Sequence, residues 1–100
     1  MKVEEVASAL NSGMRRSILL VLAEGPETTQ GVIRRLDQRG QAIKHRETVY
    51  RALENLVRSG LADKTYHPGK GLCYRLKVRR VAIDIGTGTV RTSDVDSRRG

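Results

Sequence analysis

Phenylalanine and tryptophan are missing from this chain, and its aromatic residues are three tyrosines, Tyr50, Tyr66 and Tyr74. Any core must therefore be built from closely packed Val, Leu, Ile and Ala. A single cysteine, Cys73, excludes an internal disulfide and fits a reducing compartment, the cytoplasm. No apolar run approaches the roughly 18 residues of a membrane-spanning helix, so no membrane partner is expected. The opening Met-Lys-Val-Glu-Glu lacks the apolar region of a signal peptide. Two histidines and one cysteine show no HxH, CxxC or HxxxC spacing, so neither a metal site nor any other cofactor is expected. Nor can they supply a Ser/His/Asp or Cys/His catalytic set, and an enzyme is the least favoured class. Acidic residues are also scarce, with 11 Asp and Glu against 19 Lys and Arg.

What is present is a chain of 100 residues, 38% apolar, enough for one small folded domain. Its charge is unevenly spread. Residues 1–45 carry net +2, residues 46–80 net +6, and residues 81–100 none. Fourteen of the 19 cations are Arg, the residue suited to bidentate contacts with phosphate and guanine. A basic stretch of this kind points to a polyanion partner, most often nucleic acid. The plain alternative is a generally basic protein with solvated charge.

Periodicity gives four helices followed by strands. Val3, Val6, Ala7 and Leu10 form an apolar stripe over residues 3–10. Ser12 can cap a second helix over 14–24, which Gly25-Pro26 stops. Thr28 or Thr29 caps a third, ending near Gly40, and residues 41–45 link it to a fourth over 47–59. Gly60 ends that helix. Strands follow over 61–66 and 72–77, joined by the turn His67-Pro68-Gly69-Lys70-Gly71. Alternation puts Leu72, Tyr74 and Leu76 inward, and Cys73 outward beside Arg75 and Lys77, where a thiolate could sense redox state. Val81, Ile83 and Ile85 read as a further strand. Asp84-Ile85-Gly86-Thr87-Gly88-Thr89 is similar to the phosphate loop of actin-like and sugar-kinase ATPases, but too few residues follow it for a second lobe, and it reads as a turn. Residues 1–85 are expected to form the domain and 86–100 a polar C-terminal tail, frayed from Thr92.

This order predicts an α+β fold, a winged helix-turn-helix: a tri-helical core with an extra N-terminal helix and a C-terminal β-wing. The helix over 29–39 would position the recognition helix over 47–59. At about 100° per residue, Val49, Leu53 and Leu56 of that helix fall within about 60° and face inward. Glu47, Arg51, Glu54 and Arg58 lie opposite, with Thr48, Tyr50 and Asn55 on the flanks and Arg46 at the start. Such a face has the donors for a major groove. The candidate DNA contacts are Lys44, His45, Arg46, Thr48, Tyr50, Arg51, Asn55 and Arg58, joined by Lys64, His67 and Lys70 of the wing. Glu47 and Glu54 would accept from cytosine or hold a neighbouring Arg.

The run from Arg46 to Leu61, with Thr48-Val49-Tyr50-Arg51 and the Gly60-Leu61 exit, resembles the recognition helix of the ferric uptake regulator (Fur) family. Val32 to Ile43 resembles that family's positioning helix and linker, and Tyr74-Arg75-Leu76 its wing. Met14-Arg15-Arg16-Ser17-Ile18-Leu19 is more similar to the first helix of arsenic-type and antibiotic-resistance-type winged-helix repressors. The resemblance implies a transcriptional regulator in which Tyr50 touches bases and Arg51 a phosphate. It does not extend to the family's metal-binding dimerisation domain, whose His-, Cys- and acid-rich pattern is missing here. The expected partner is double-stranded DNA, read as a palindrome by a homodimer. The helix over 3–10 and the strand over 81–85 are the candidate dimer surfaces. The alternative is a winged-helix protein-interaction module in a transcription or replication complex; an RNA-binding domain would offer more stacking aromatics.

Overall fold

The computed structural model describes residues 2–94. Its order is α1 (Val3–Leu10), α2 (Gly13–Leu22), α3 (Thr29–Gln38), α4 (Arg46–Arg58), then β1 (Ala62–His67), β2 (Gly71–Leu76), β3 (Val78–Asp84) and β4 (Thr89–Asp94). Helices α2, α3 and α4 pack around an aliphatic core of Ile18, Val21, Val32, Leu36, Val49, Leu53 and Leu56, each 0% exposed. The hairpin β1–β2 closes that core with Ala62 and Tyr74. This is the expected winged helix.

Local chemistry sets the boundaries. Ser12 accepts from the Arg15 amide at 3.2 Å and Thr28 from the Gly31 amide at 3.0 Å, each satisfying one free donor at a helix start. Helices α3 and α4 end in the same way. Gly40 and Gly60 adopt φ of 84° and 86°, a conformation that costs any side chain energy. The next residue then turns back: the Gln41 amide donates to the Leu36 carbonyl at 3.0 Å, and the Leu61 amide to that of Leu56 at 3.1 Å. The first turn launches the linker into α4, and the second launches the wing.

Helix α1 has eight residues and is too short to hold by itself. It is fastened at two places. Val6 and Ala9 are buried, while Ala7, expected in the stripe, is exposed. The Arg15 guanidinium donates to the Ser8 and Ala9 carbonyls, both at 2.8 Å, and Arg16 donates to Leu10. Two cations thus close the negative end of α1.

The strands depart from expectation in three respects. Cys73 is 0% exposed rather than solvent-facing. Strand β2 has β1 on one edge and, on the other, Glu27, whose amide and carbonyl pair with those of Tyr74 at 2.9 and 2.8 Å. Cys73 thus lies on an inner strand, paired along both edges, and its buried thiol lacks the exposure that redox sensing needs. Leu72, expected inward, is 52% exposed because it lies toward the wing tip, beyond the helices. The segment expected as a polar tail from Gly86 carries β4, which pairs antiparallel with β3 from Asp84↔Thr89 to Val78↔Asp94. The Gly-Thr-Gly stretch is the turn between them, held by the Thr87 amide on the Asp84 carboxylate at 3.1 Å. Thr92 to Asp94, expected to be frayed, pair within β4, and the rest of that expected frayed end lies outside the described residues.

Candidate nucleic-acid interface

Helix α4 divides sharply. Val49, Leu53 and Leu56 are fully buried and Ala52 nearly so. That fixes its rotation, so Arg46, Glu47, Thr48, Tyr50 and Arg51 stand out in solvent at the N-terminal half. Tyr50 is 47% exposed, large for an aromatic with no internal task. Arg51 meets Glu47 one turn earlier at 3.4 Å, with both side chains more than 70% exposed. Such a pair contributes about 0.5 kcal/mol at most, so a phosphate can displace it. Lys44 and His45 precede the helix and are exposed, and His45 takes the N-cap position with an extended backbone.

The C-terminal half of α4 is arranged differently. Asn55 and Arg58 line a cleft shared with Glu4, Glu5 and Ser8 of α1. The Asn55 Oδ1 is buried there without a hydrogen bond among the described residues. The fold therefore directs Asn55 toward α1 and does not bring it onto the face that carries Tyr50 and Arg51.

Glu54 is tied to the wing. It accepts from the Tyr74 hydroxyl at 2.6 Å and pairs with the Lys64 ammonium at 2.9 Å. Helical periodicity places Glu54 on the outward face; the signal against it is Tyr74, an inward tyrosine whose hydroxyl needs a partner. The electrostatics follow from these contacts. The Tyr74 hydroxyl and Lys64 hold the Glu54 carboxyl below its usual 4.5. Burial, and then Glu54, push the Tyr74 phenol well above its usual 10.0. Glu54 in turn raises the Lys64 ammonium. The triad locks α4 to β1 and β2, so Lys64 braces the fold through its head group.

At the wing tip, residues 68–70 turn with the Lys70 amide on the His67 carbonyl at 3.0 Å. Tyr66, His67 and Lys70 project there. Lys70 sits 3.8 Å from Glu27, which also faces Arg35 at 3.8 Å. Arg35 and Arg39 both bond Glu24 at the end of α2, so the cations of α3 nearest that helix belong to the scaffold. Arg34 lines a separate cleft with Gln30, Asp37 and Arg46. Lys44, Arg46 and Arg58, like Lys77, Arg79, Arg80 and Arg91 of the later strands, form no ion pair among the described residues. His45 and His67 lie apart on linker and wing tip, and no three His, Cys, Asp or Glu side chains come together among the described residues. None of the described helices is long and apolar enough to cross a membrane.

No family model matches the sequence, and no curated relative does either. Solved structures do match in shape. The ferric uptake regulator of Vibrio cholerae, described with rearranged DNA-binding domains, superposes with a TM-score of 0.61 at 19% identity, over 96% of this chain and 79% of that one. The ferric uptake regulator of Pseudomonas aeruginosa, solved with manganese, superposes with a TM-score of 0.58 at 20% identity, over 99% of this chain and 80% of that one. The chain thus shares the winged-helix fold of these two ferric uptake regulators.

Proposed function

We propose that this protein is a cytoplasmic, sequence-specific binder of double-stranded DNA that regulates transcription as a dimer on a palindromic site. One observation carries the reading: a helix locked in rotation by a fully buried stripe presents Arg46, Thr48, Tyr50 and Arg51 together at its exposed N-terminal half. That end of a recognition helix is the one that reaches base edges in a major groove. Tyr50 and Thr48 read the bases, and Arg46 and Arg51 hold phosphates. Lys44 and His45 extend the phosphate contacts, and the wing follows the backbone with His67 and Lys70. Lys64 contributes charge while it braces Glu54. Arg58 reaches phosphate at the far end of α4, whereas Asn55 serves the packing of α1. Occupying the duplex then blocks or recruits polymerase.

The regulators that share the fold lend support, since the Vibrio cholerae protein has DNA-binding domains. Manganese belongs to the other, and the described residues here offer no cluster that fits such an ion. Selection of preferred sites from random-sequence duplex tests the reading. An inverted repeat enriched over background supports it; enrichment of no sequence, with binding to a protein partner instead, favours the interaction module.

A further inference from the structure

Between α2 and the hairpin β3–β4 lies an apolar groove of about 530 Å³ that has no part in the interface described above. Its volume falls within the roughly 300–1,000 Å³ of small-molecule sites. Leu19 and Leu20 of α2 form one wall, Val78 and Val81 of β3 the other, and Leu61, 2% exposed, the floor. Leu20 is 62% exposed, and it adjoins these further apolar groups rather than standing alone. A β-bulge builds the second wall. The register of β3 on β4 shifts between Val78 and Arg80, which leaves Arg79 without an opposite residue and sets Val78 and Val81 on the same side. Strand alternation alone would divide them. The ribbon that carries this wall pairs with no other strand among the described residues, so it is the wall free to adjust.

We propose that this groove is an effector site for an apolar carboxylic acid, of which a medium-chain fatty acid is the simplest example. Charge complementarity selects the class. The lining includes Arg16 on the α2 side and Arg79 on the β3 side, and no Asp or Glu. Both side chains are exposed, and neither forms an ion pair among the described residues. Arg16 spends one donor on the Leu10 carbonyl, and each guanidinium keeps donors for a carboxylate. No lining side chain accepts a hydrogen bond, which disfavours cations and sugars. A mostly apolar lining with a few polar groups at its edge is the make-up of a small-molecule site. The floor links the groove to the recognition helix. The Leu61 amide closes α4 on the Leu56 carbonyl, and the Leu61 carbonyl accepts from the Lys77 and Val78 amides at 2.9 and 3.3 Å, where the wing passes into β3. A ligand against Leu61 therefore bears on the end of α4 and on both hairpins at once. The effector role rests on the proposed function; binding of the acid does not.

Titration of the isotope-labelled full chain with decanoate, followed by amide NMR, tests this. Decanoate below its micelle range is expected to shift the amides of Leu20, Leu61, Val78 and Val81 saturably. Decyltrimethylammonium, the same apolar chain with the opposite charge, should bind about tenfold more weakly or worse. Arg79→Gln should weaken decanoate about threefold or more. Leu20→Glu sets a carboxylate in the groove at an exposed position, and should abolish the shifts while the rest of the spectrum stays as in wild type. No saturable shift, shifts centred elsewhere, equal binding of both amphiphiles, or variants that bind like wild type overturns the proposal. So do groove amides that move with protein concentration and not with decanoate, the mark of a second copy filling the groove. Duplex affinity is then measured with and without saturating decanoate. A change of about fivefold or more is expected in wild type, and none in Leu20→Glu. An unchanged wild-type affinity overturns the effector role. A chain that binds duplex but not decanoate overturns the groove alone, whereas one that binds decanoate but no duplex overturns the proposed function alone.

Discussion

Tyr74 does more for the site than any residue on its exposed face. Its ring closes the core, and its hydroxyl holds Glu54 at 2.6 Å, which with Lys64 ties the recognition helix to the wing. Removing the hydroxyl in Tyr74→Phe should cost about 1–1.5 kcal/mol, read by urea unfolding at neutral pH. The pH dependence has two limbs. Glu54 is held below 4.5 in the folded state, so its stabilisation is present above that value and is lost as pH falls through the lowered one. The Tyr74 phenol is raised above 10.0, so its stabilisation is present below that value and is lost as pH climbs toward the raised one. Tyr74→Phe should remove the phenol's share of the alkaline limb, leaving that of the raised Lys64 ammonium, and flatten the acid limb in part; unchanged limbs would contradict the triad. On the exposed face, Tyr50→Ala and Arg51→Ala should separate. The first should relax base preference at one or two positions, by about 1–3 kcal/mol of discrimination. The second should weaken all duplexes alike and lower the salt slope by about 1. Equal effects of both variants on specific and random duplex would contradict these roles.

Helix α1 shows how an element can carry two readings in sequence and one in structure. Its stripe could have served a second chain, but Val6 is fully buried in its own domain and Arg15 and Arg16 seal its end. Val6→Ala should therefore cost roughly 1–3 kcal/mol of stability in denaturant unfolding while leaving self-association unchanged. A folded, fully stable variant that fails to self-associate would return α1 to the interface. The elements themselves were legible. Ser12, Thr28, Gly25-Pro26 and Gly60 mark boundaries because each solves a backbone problem that composition alone reveals. So was the inward stripe of α4, since helical periodicity is a property of one element. Burial from two sides was not legible. Cys73 is buried in a strand whose second edge is taken by Glu27, a residue distant in sequence. Asn55 turns toward α1, and Glu54 toward Tyr74, for the same reason: both answer to a neighbouring element. Strand β4 escaped because Thr89 to Asp94 has only Val90 as an apolar anchor, and its pairing comes from the turn at Asp84.

At the scale of the whole molecule, charge and shape act together. The chain carries +8, and the segment holding recognition helix and wing carries +6 of it. Several of its acidic and basic groups are spent on each other: Glu54 with Lys64, Asp63 with Arg75, and Glu47 with Arg51. Lys44 and Arg46 at the start of α4 are in no such pair among the described residues, so the field there is turned outward. A duplex seated against α4 would gain counterion release from that field, and sequence choice from Thr48 and Tyr50. The affinity of the wild-type protein for duplex DNA, measured as a function of salt, tests this most directly. If about six phosphates are neutralised, the logarithm of the binding constant should fall against the logarithm of salt with a slope near −5. A flat response, or no binding at low salt, would contradict the assignment of this surface to nucleic acid.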